Sequence, residues 1–301
     1  MIEDARQEHL DNELIRCAER MNIEKCLMPI KMSSYYNPAS VNEAVLVLSD
    51  WHFGLTADNV WNEYNPEIAD RRISYMRDKV IEKMENNAVN VLHVVILGDM
   101  ISGSIHTSIR VKNNEGAVDQ IMSVSERLAE LISDLANRCS YTRVYCTYGN
   151  HARVTANLND SIHNDNMERI IPFWLKQRLK DRTDISVCNE SAYELLSIKI
   201  GDSDICAVHG DLDVGKNNAM LTLSILYEKN YGAKMNYLIM GHWHTTYTDE
   251  NLGIKQIGVG SLCGTDEYAK NKRLFSNPSQ TLLIFDKHGL DSIHDIDLTH
   301  C

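Results

Sequence analysis

Residues 44–52 read Ala44-Val45-Leu46-Val47-Leu48-Ser49-Asp50-Trp51-His52, a short apolar run that stops abruptly at an acid and a histidine. So short a run of Val and Leu reads as a strand covered on both faces. Reading outward, the same arrangement recurs four times. VLHVVIL (91–97) stops at Gly98-Asp99, and RVYCTY (143–148) stops at Gly149-Asn150-His151. ICAV (205–208) stops at His209-Gly210-Asp211, and YLIM (237–240) stops at Gly241-His242-Trp243-His244. Helical patterns fill the intervals at 66–86, 116–137 and 215–231, and at 160–180 around an interruption at Pro172. In the second of these, Ile121, Val124, Leu128, Leu131 and Leu135 form one stripe. Further strands are expected at 193–200, paired as a hairpin with 205–208, and at 254–259, 281–285 and 292–296. The first half is therefore β-α-β-α-β and the second is richer in strands, which predicts an α/β protein with helices outside and sheet inside.

The whole chain agrees with a large packed domain. It has 301 residues, 44% hydrophobic and 24% charged, enough to bury a sizeable core without staples. Thirty Lys and Arg against 42 Asp and Glu give a net charge of −12, which argues against a protein that coats DNA through a basic face. The eight cysteines are widely spaced and form no C-x-x-C pair, so they read as buried free thiols of a reducing cytoplasm. No apolar run is long enough for a membrane span, and the acidic start, Met1-Ile2-Glu3-Asp4, does not read as a signal peptide. The expected setting is the cytoplasm. Residues 4–28 read as helical up to Pro29, and 31–40 as a polar connector. The division expected is an arm over 1–40 and a domain over 41–301. The arm is open to two readings, an ordinary helix packed on the core or a device for homo-oligomerisation.

The five strand ends carry the chemistry. In open α/β sheets, sites form beyond the carboxyl ends of strands. Residues i and i+2 of an extended chain share a face, so Asp50 with His52, and His242 with His244, can each reach one point. Asp50, His52, Asp99, Asn150, His209, His242 and His244 are too many ligands for one ion and fit two if one carboxylate bridges. Two-metal sites clamp the attacking and leaving oxygens of a displacement at phosphorus. Four imidazoles, two carboxylates, an amide and no thiolate suit a divalent transition metal, with Mn placed first and Fe, Zn, Co or Ni also suitable. Mg and Ca prefer shells of oxygen.

In this order, D-x-H, G-D, G-N-H, H and G-H-x-H resemble the pattern of the calcineurin-like metallophosphoesterase superfamily, across Asp50 to His244 and extending over about residues 44–296. Gly260-Ser261-Leu262 matches a turn that follows the last motif. The resemblance implies a four-layer α-β-β-α sandwich of two mixed sheets flanked by helices. It implies one metal held by Asp50, His52, Asp99 and His244, and another by Asp99, Asn150, His209 and His242. It also implies that His151 is catalytic, contacting the scissile phosphate and protonating the leaving oxygen, with the nucleophile drawn from water activated by the ions.

The chain departs from the family where an acid often follows G-N-H, because here Ala152 stands there. Asp211 is a candidate either to orient His151 instead or to hold His209. The segments 98–103 and 150–152 differ from the protein Ser/Thr phosphatase signature. Residues 99–106 and 151–153 resemble phage-encoded members and the DNA repair nuclease branch. Arg153 reads as a phosphate clamp or as a solvated arginine. His106 and Arg110 read as lining the substrate cleft or as surface loop. The tract 266–279, with Lys270, Lys272 and Arg273, is basic and reads as a solvated loop or as a nucleic-acid contact. The expected substrate is a phosphodiester in nucleic acid, DNA included, or in a nucleotide. The alternatives are a phosphomonoesterase acting on a small molecule or phosphoprotein, and an inactive scaffold of the same fold.

Overall fold

The computed structural model describes residues 2–28, 40–105, 113, 115–157, 160–162, 165–188, 194–213 and 216–301. Its frame is a six-stranded sheet built on β1 (Glu43–Leu48), the run that opened the sequence reading. β1 lies parallel to β4 (Val91–Ile96), with Leu46 opposite Val94, and antiparallel to β12 (Ser279–Asp286), with Leu46 opposite Leu282. β5 (Tyr141–Cys146) and β6 (Ile185–Val187) extend one side in parallel, and β13 (Gly289–Asp297) closes the other. A second sheet of five strands runs in the order β10 (Tyr247–Asn251), β11 (Ile254–Gly258), β9 (Tyr237–Met240), β8 (Ser203–Val208) and β7 (Leu196–Ile200). Both sheets mix parallel and antiparallel pairs.

Why β1 is apolar at every position follows from its two neighbours. Val45 and Val47 point into the space between the sheets, beside Val95, Ile198, Ile205, Ile239 and Phe285. Ala44, Leu46 and Leu48 point the other way, into a core shared with the helices α2 (Pro66–Asn86) and α3 (Ala117–Ala136). A third core joins the outer face of the second sheet to α5 (Lys216–Tyr231), with Tyr227 fully buried. Three cores between four layers make the expected α-β-β-α sandwich.

α4 (Ile170–Arg178) begins later than the sequence suggests, because Pro172 falls in its first turn, where the missing N–H has no helical partner to lose. A 3-10 turn, Met167–Arg169, leads into it. α1 (Ile2–Glu24) lies against α4: Ala18 is buried, Asn22 donates to the Gln177 carbonyl at 3.2 Å, and Arg178 donates to the Asn22 side chain. The connector expected at 31–40 lies outside the described residues except for its last position. The short hairpin β2 (Ala57–Asn59) and β3 (Asn62–Tyr64) is absent from the sequence reading. Three-residue strands leave no periodicity to detect. All eight cysteines are free thiols. No helix among the described residues is long and apolar enough to cross a membrane.

Candidate metal centre

The ends of β1, β4, β5, β8 and β9 deliver their polar residues to one place. Asp50, His52, Asp99, His242 and His244 all adopt left-handed backbone conformations, with φ of 54°, 44°, 51°, 66° and 53°. Such values are uncommon outside glycine and concentrate at functional sites. They correct one expectation. Asp50 and His52 do not converge by extended alternation, because the strand has already ended at Leu48 and the chain coils. Trp51 is buried between them, with Nε1 donating to the Gln280 side-chain carbonyl at 3.0 Å. His242 and His244 likewise follow β9 and face different neighbours.

The distances fall into two groups that share Asp99. In one, Asp50 Oδ1 lies 3.2 Å from His244 Nε2 and 3.8 Å from His52 Nε2, and the two Nε2 atoms are 3.1 Å apart. Asp99 Oδ2 lies 4.0 Å from His52 Nε2. In the other, Asp99 Oδ2 lies 3.3 Å from His209 Nε2, which is 3.4 Å from Asn150 Oδ1. The His209 and His242 rings stand 5.1 Å apart. The His151 Nε2 lies 4.0 Å from the same Asp99 oxygen, beside the His52 ring at 4.5 Å.

Tautomers follow from the carbonyls behind the rings. His209 Nδ1 faces the Leu97 carbonyl at 2.8 Å, and His151 Nδ1 faces that of Ser102 at 3.1 Å. A carbonyl only accepts, so each Nδ1 carries the hydrogen and each Nε2 turns to the cluster. These bonds correct the expectation for Asp211, which neither orients His151 nor holds His209, because main-chain carbonyls already occupy both Nδ1 positions. Asp211 instead lines a cavity of about 360 Å³ beside His209, with Glu194 and Asp213.

The charge of the cluster suits a cation. Burial works against ionisation of Asp50 and Asp99, yet neighbouring imidazoles hold both carboxyls well below the usual range. Burial would likewise discharge His209, but the Asp99 carboxylate wins and pushes it up to about 10. His244 is raised in the same way against burial by Asp50. His52 and His242 are lowered by burial and by imidazole neighbours, which keeps them neutral as donors of a lone pair. The Asp99 and Asp50 carboxylates thus hold protons on the His209 and His244 imidazoles, which divalent cations can displace. Asp50 Oδ1 is fully buried and receives no well-aligned hydrogen bond, facing only the His244 Nε2 at 3.2 Å, and a cation would satisfy it. The residues fit the metals that their types imply.

A supporting layer fixes these residues. Ser49 Oγ donates to Asp50 Oδ2 at 2.6 Å, as does the His242 N–H at 2.9 Å. Gln280, fully buried, accepts from Ser49 N–H at 3.0 Å and donates to the Ser49 and Gly260 carbonyls. Glu168 is a component that no sequence motif signals. Its buried carboxylate accepts the backbone N–H groups of Asp99 (3.1 Å), Met100 (2.5 Å), Ile101 (3.3 Å) and Gly149 (2.9 Å). Burial and the charge of Asp99 push it up to about 7. Cys263 brings its thiol close to the ring nitrogens of His52 and His244, and burial pushes its pKa up.

Arg153 folds onto its own loop, donating to the carbonyls of Asn150, Thr155 and Ala156 at 3.1–3.3 Å. It therefore braces the Asn150 loop. His106 and Arg110 lie outside the described residues.

The model of the calcineurin-like phosphoesterase family matches residues 44–247, and the chain belongs to that family. A curated relative, the SPbeta prophage-derived uncharacterized protein YonJ of Bacillus subtilis strain 168, is 26% identical over 267 residues, covering 84% of this chain and 64% of that protein. The chain thus spans less than two thirds of that relative's length. Among solved structures, a novel archaeal phosphodiesterase is 16% identical, covering 84% of this chain and 99% of its own, with a TM-score of 0.41. Wild-type Vps29 from Entamoeba histolytica, complexed with zinc, is 16% identical, covering 85% of this chain and 99% of its own, with a TM-score of 0.37.

Proposed function

We propose that the chain hydrolyses a phosphodiester, in nucleic acid or a nucleotide, using two divalent transition-metal ions with manganese first among them. Asp50, His52, Asp99 and His244 would hold one ion, and Asp99, Asn150, His209 and His242 the other. The observation that carries this reading is the pair of residue groups sharing Asp99, with His151 Nε2 4.0 Å from the shared carboxylate. The ions, when bound, neutralise charge on the phosphoryl group and lower the pKa of water to about 7. His151, with its Nδ1–H held by the Ser102 carbonyl, presents Nε2 to the leaving oxygen; in the imidazolium form it gives up the Nε2 proton and returns to the neutral Nδ1–H ring.

Charge favours a diester over a monoester. A phosphomonoester carries about −1.5 to −2 at pH 7, whereas a diester carries a single charge. The cavity beside His209 is lined by three carboxylates and one lysine, Lys229, so it repels the dianion more. Its 360 Å³ also accommodates a second esterified group. The test compares Mn²⁺-supported hydrolysis of a bis-aryl phosphate diester with that of an aryl phosphate monoester. Preference for the diester, lost in His151→Ala, is expected. Preference for the monoester makes the protein a phosphatase, and turnover of neither with metal bound makes it a scaffold.

A further inference from the structure

Beside the half-site of His52 and His244 the molecule exposes aromatic side chains instead of burying them. Trp61, on the turn between β2 and β3, is 44% exposed, and Phe275 is 56% exposed, with the two rings 6.0 Å apart. Tyr268, on the short helix α6 (Glu267–Asn271), is 65% exposed, and Val60 and Leu274 beside these residues are open as well. Large apolar side chains gathered on one surface mark a place that something else covers.

The patch is fastened to the wall of the metal centre. Asn62 donates to the Cys263 carbonyl at 2.8 Å and to the Thr265 carbonyl at 3.1 Å, and Asn59 donates to Thr265 at 3.2 Å. Thr265 Oγ1 closes the far end of the loop, donating to the Ser276 carbonyl and accepting its N–H, both at 3.0 Å. The thiol of Cys263 lies among the ring nitrogens of His52 and His244. Trp61 and Phe275 are therefore carried by segments pinned directly to the site.

The charges of the patch are sorted. The Asp266 carboxylate is spent on capping α6, accepting the Ala269 N–H at 2.7 Å, and Glu267 pairs with Lys270 at 3.5 Å. Lys272 and Arg273 are exposed, and no described carboxylate pairs with either. Lys272 instead lies over the Tyr268 ring, 5.9 Å from its centre. In a chain of net charge −12, this rim offers exposed rings with two cations that no described carboxylate neutralises.

We propose that Trp61, Tyr268 and Phe275, with Lys272 and Arg273, form a landing platform for single-stranded nucleic acid that leads a phosphodiester into the metal centre. The inference rests on the phosphodiesterase reading and deepens it. Rings stack on bases of any sequence, and cations follow the phosphates. A duplex keeps its bases stacked internally and cannot use the rings. Self-association through a two-fold axis would set the patch, with its cations, against itself.

The test uses fluorescence anisotropy with a labelled oligothymidylate of about 12 nucleotides, a length within single-strand site sizes. The Mn²⁺-loaded chain is compared with Trp61→Ala/Phe275→Ala and with Lys272→Glu/Arg273→Glu. Each double variant should weaken binding at least about tenfold, while hydrolysis of a small bis-aryl diester, which does not reach the platform, stays within about twofold. The charge variant should make the salt dependence shallower by about 1.4 in the logarithmic slope. Oligonucleotide binding unchanged in both variants overturns the platform. Wild-type protein that cleaves the small diester but ignores the oligonucleotide overturns it while the phosphodiesterase reading stands. Cleavage of monoesters alone overturns that reading, whatever the oligonucleotide does. A dimer that the ring variant dissociates, with oligonucleotide binding unaffected, makes the patch a self-association surface and also overturns the platform.

Discussion

Glu168 Oε2 accepts the backbone N–H of Asp99 at 3.1 Å and, with the same oxygen, that of Gly149 at 2.9 Å. One buried carboxylate thus ties the loop that carries the shared ligand to the loop that carries Asn150 and His151. Asn166, two residues earlier, adds a bond to the Gly149 carbonyl at 2.7 Å. The brace fixes the Asn150 and His151 loop against the Asp99 loop.

Removing it should therefore cost both stability and metal binding. Glu168→Ala leaves four buried N–H groups without their acceptor and should destabilise the chain by about 3–5 kcal/mol in urea unfolding. Glu168→Gln keeps the shape but turns an amide NH₂ toward backbone donors. It should weaken Mn²⁺ affinity by about 10–100-fold, the usual effect of losing an outer partner. Isothermal titration of the glutamine variant checks this. Unchanged affinity would show that the brace serves the fold alone.

Gly149 is required for a different reason. A Cβ built there would stand 2.2 Å from Asp99 Oδ1, so any side chain displaces the shared carboxylate. Gly149→Ala should cost about 1–3 kcal/mol, as overpacking does. Its Mn²⁺-dependent turnover should fall far more than its melting temperature suggests. A variant as active as the parent would remove Asp99 from the centre of the account.

Much of this cluster is legible in the sequence, because each proposed ligand follows a strand and strands announce themselves by apolar runs. What is illegible comes from residues distant in the chain. Glu168 lies 69 residues from Asp99 and Gln280 lies 231 from Ser49, and each acts on the backbone, leaving no pattern in side-chain types. The coiling after Leu48 escapes for a related reason. Left-handed conformations at Asp50 and His52 are imposed by tertiary contacts, such as the His52 N–H to the Asp99 carbonyl at 2.9 Å, against local preference. Asp211 shows the opposite error. It has the right type and spacing for a partner of histidine, but carbonyls at Ser102 and Leu97 fill that role.

Asp213 supplies a pH signature. Burial, with the charge of Asp211 nearby, raises its pKa from 3.8 to about 6. For an acid whose folded pKa is raised, the folded state binds more protons than the unfolded one between these values. Stability is therefore lost as pH rises from 3.8 to about 6, and the loss is complete above that. Asp213→Asn should gain on the parent in melting temperature across this window and hold a constant margin beyond it. Parallel melting curves at every pH would refute the assignment.

In the proposed centre, seven residues make two cation sites sharing Asp99, with His151 outside both. The most direct measurement is Mn²⁺ stoichiometry, by titration and elemental analysis of the chain and of Asp99→Ala and His151→Ala. Two ions per chain are expected for the parent and for His151→Ala, the latter with hydrolysis reduced by about 10²–10⁴-fold. Asp99→Ala should retain one ion or none. A parent chain that binds a single ion, or an Asp99→Ala variant that keeps two, would contradict the account.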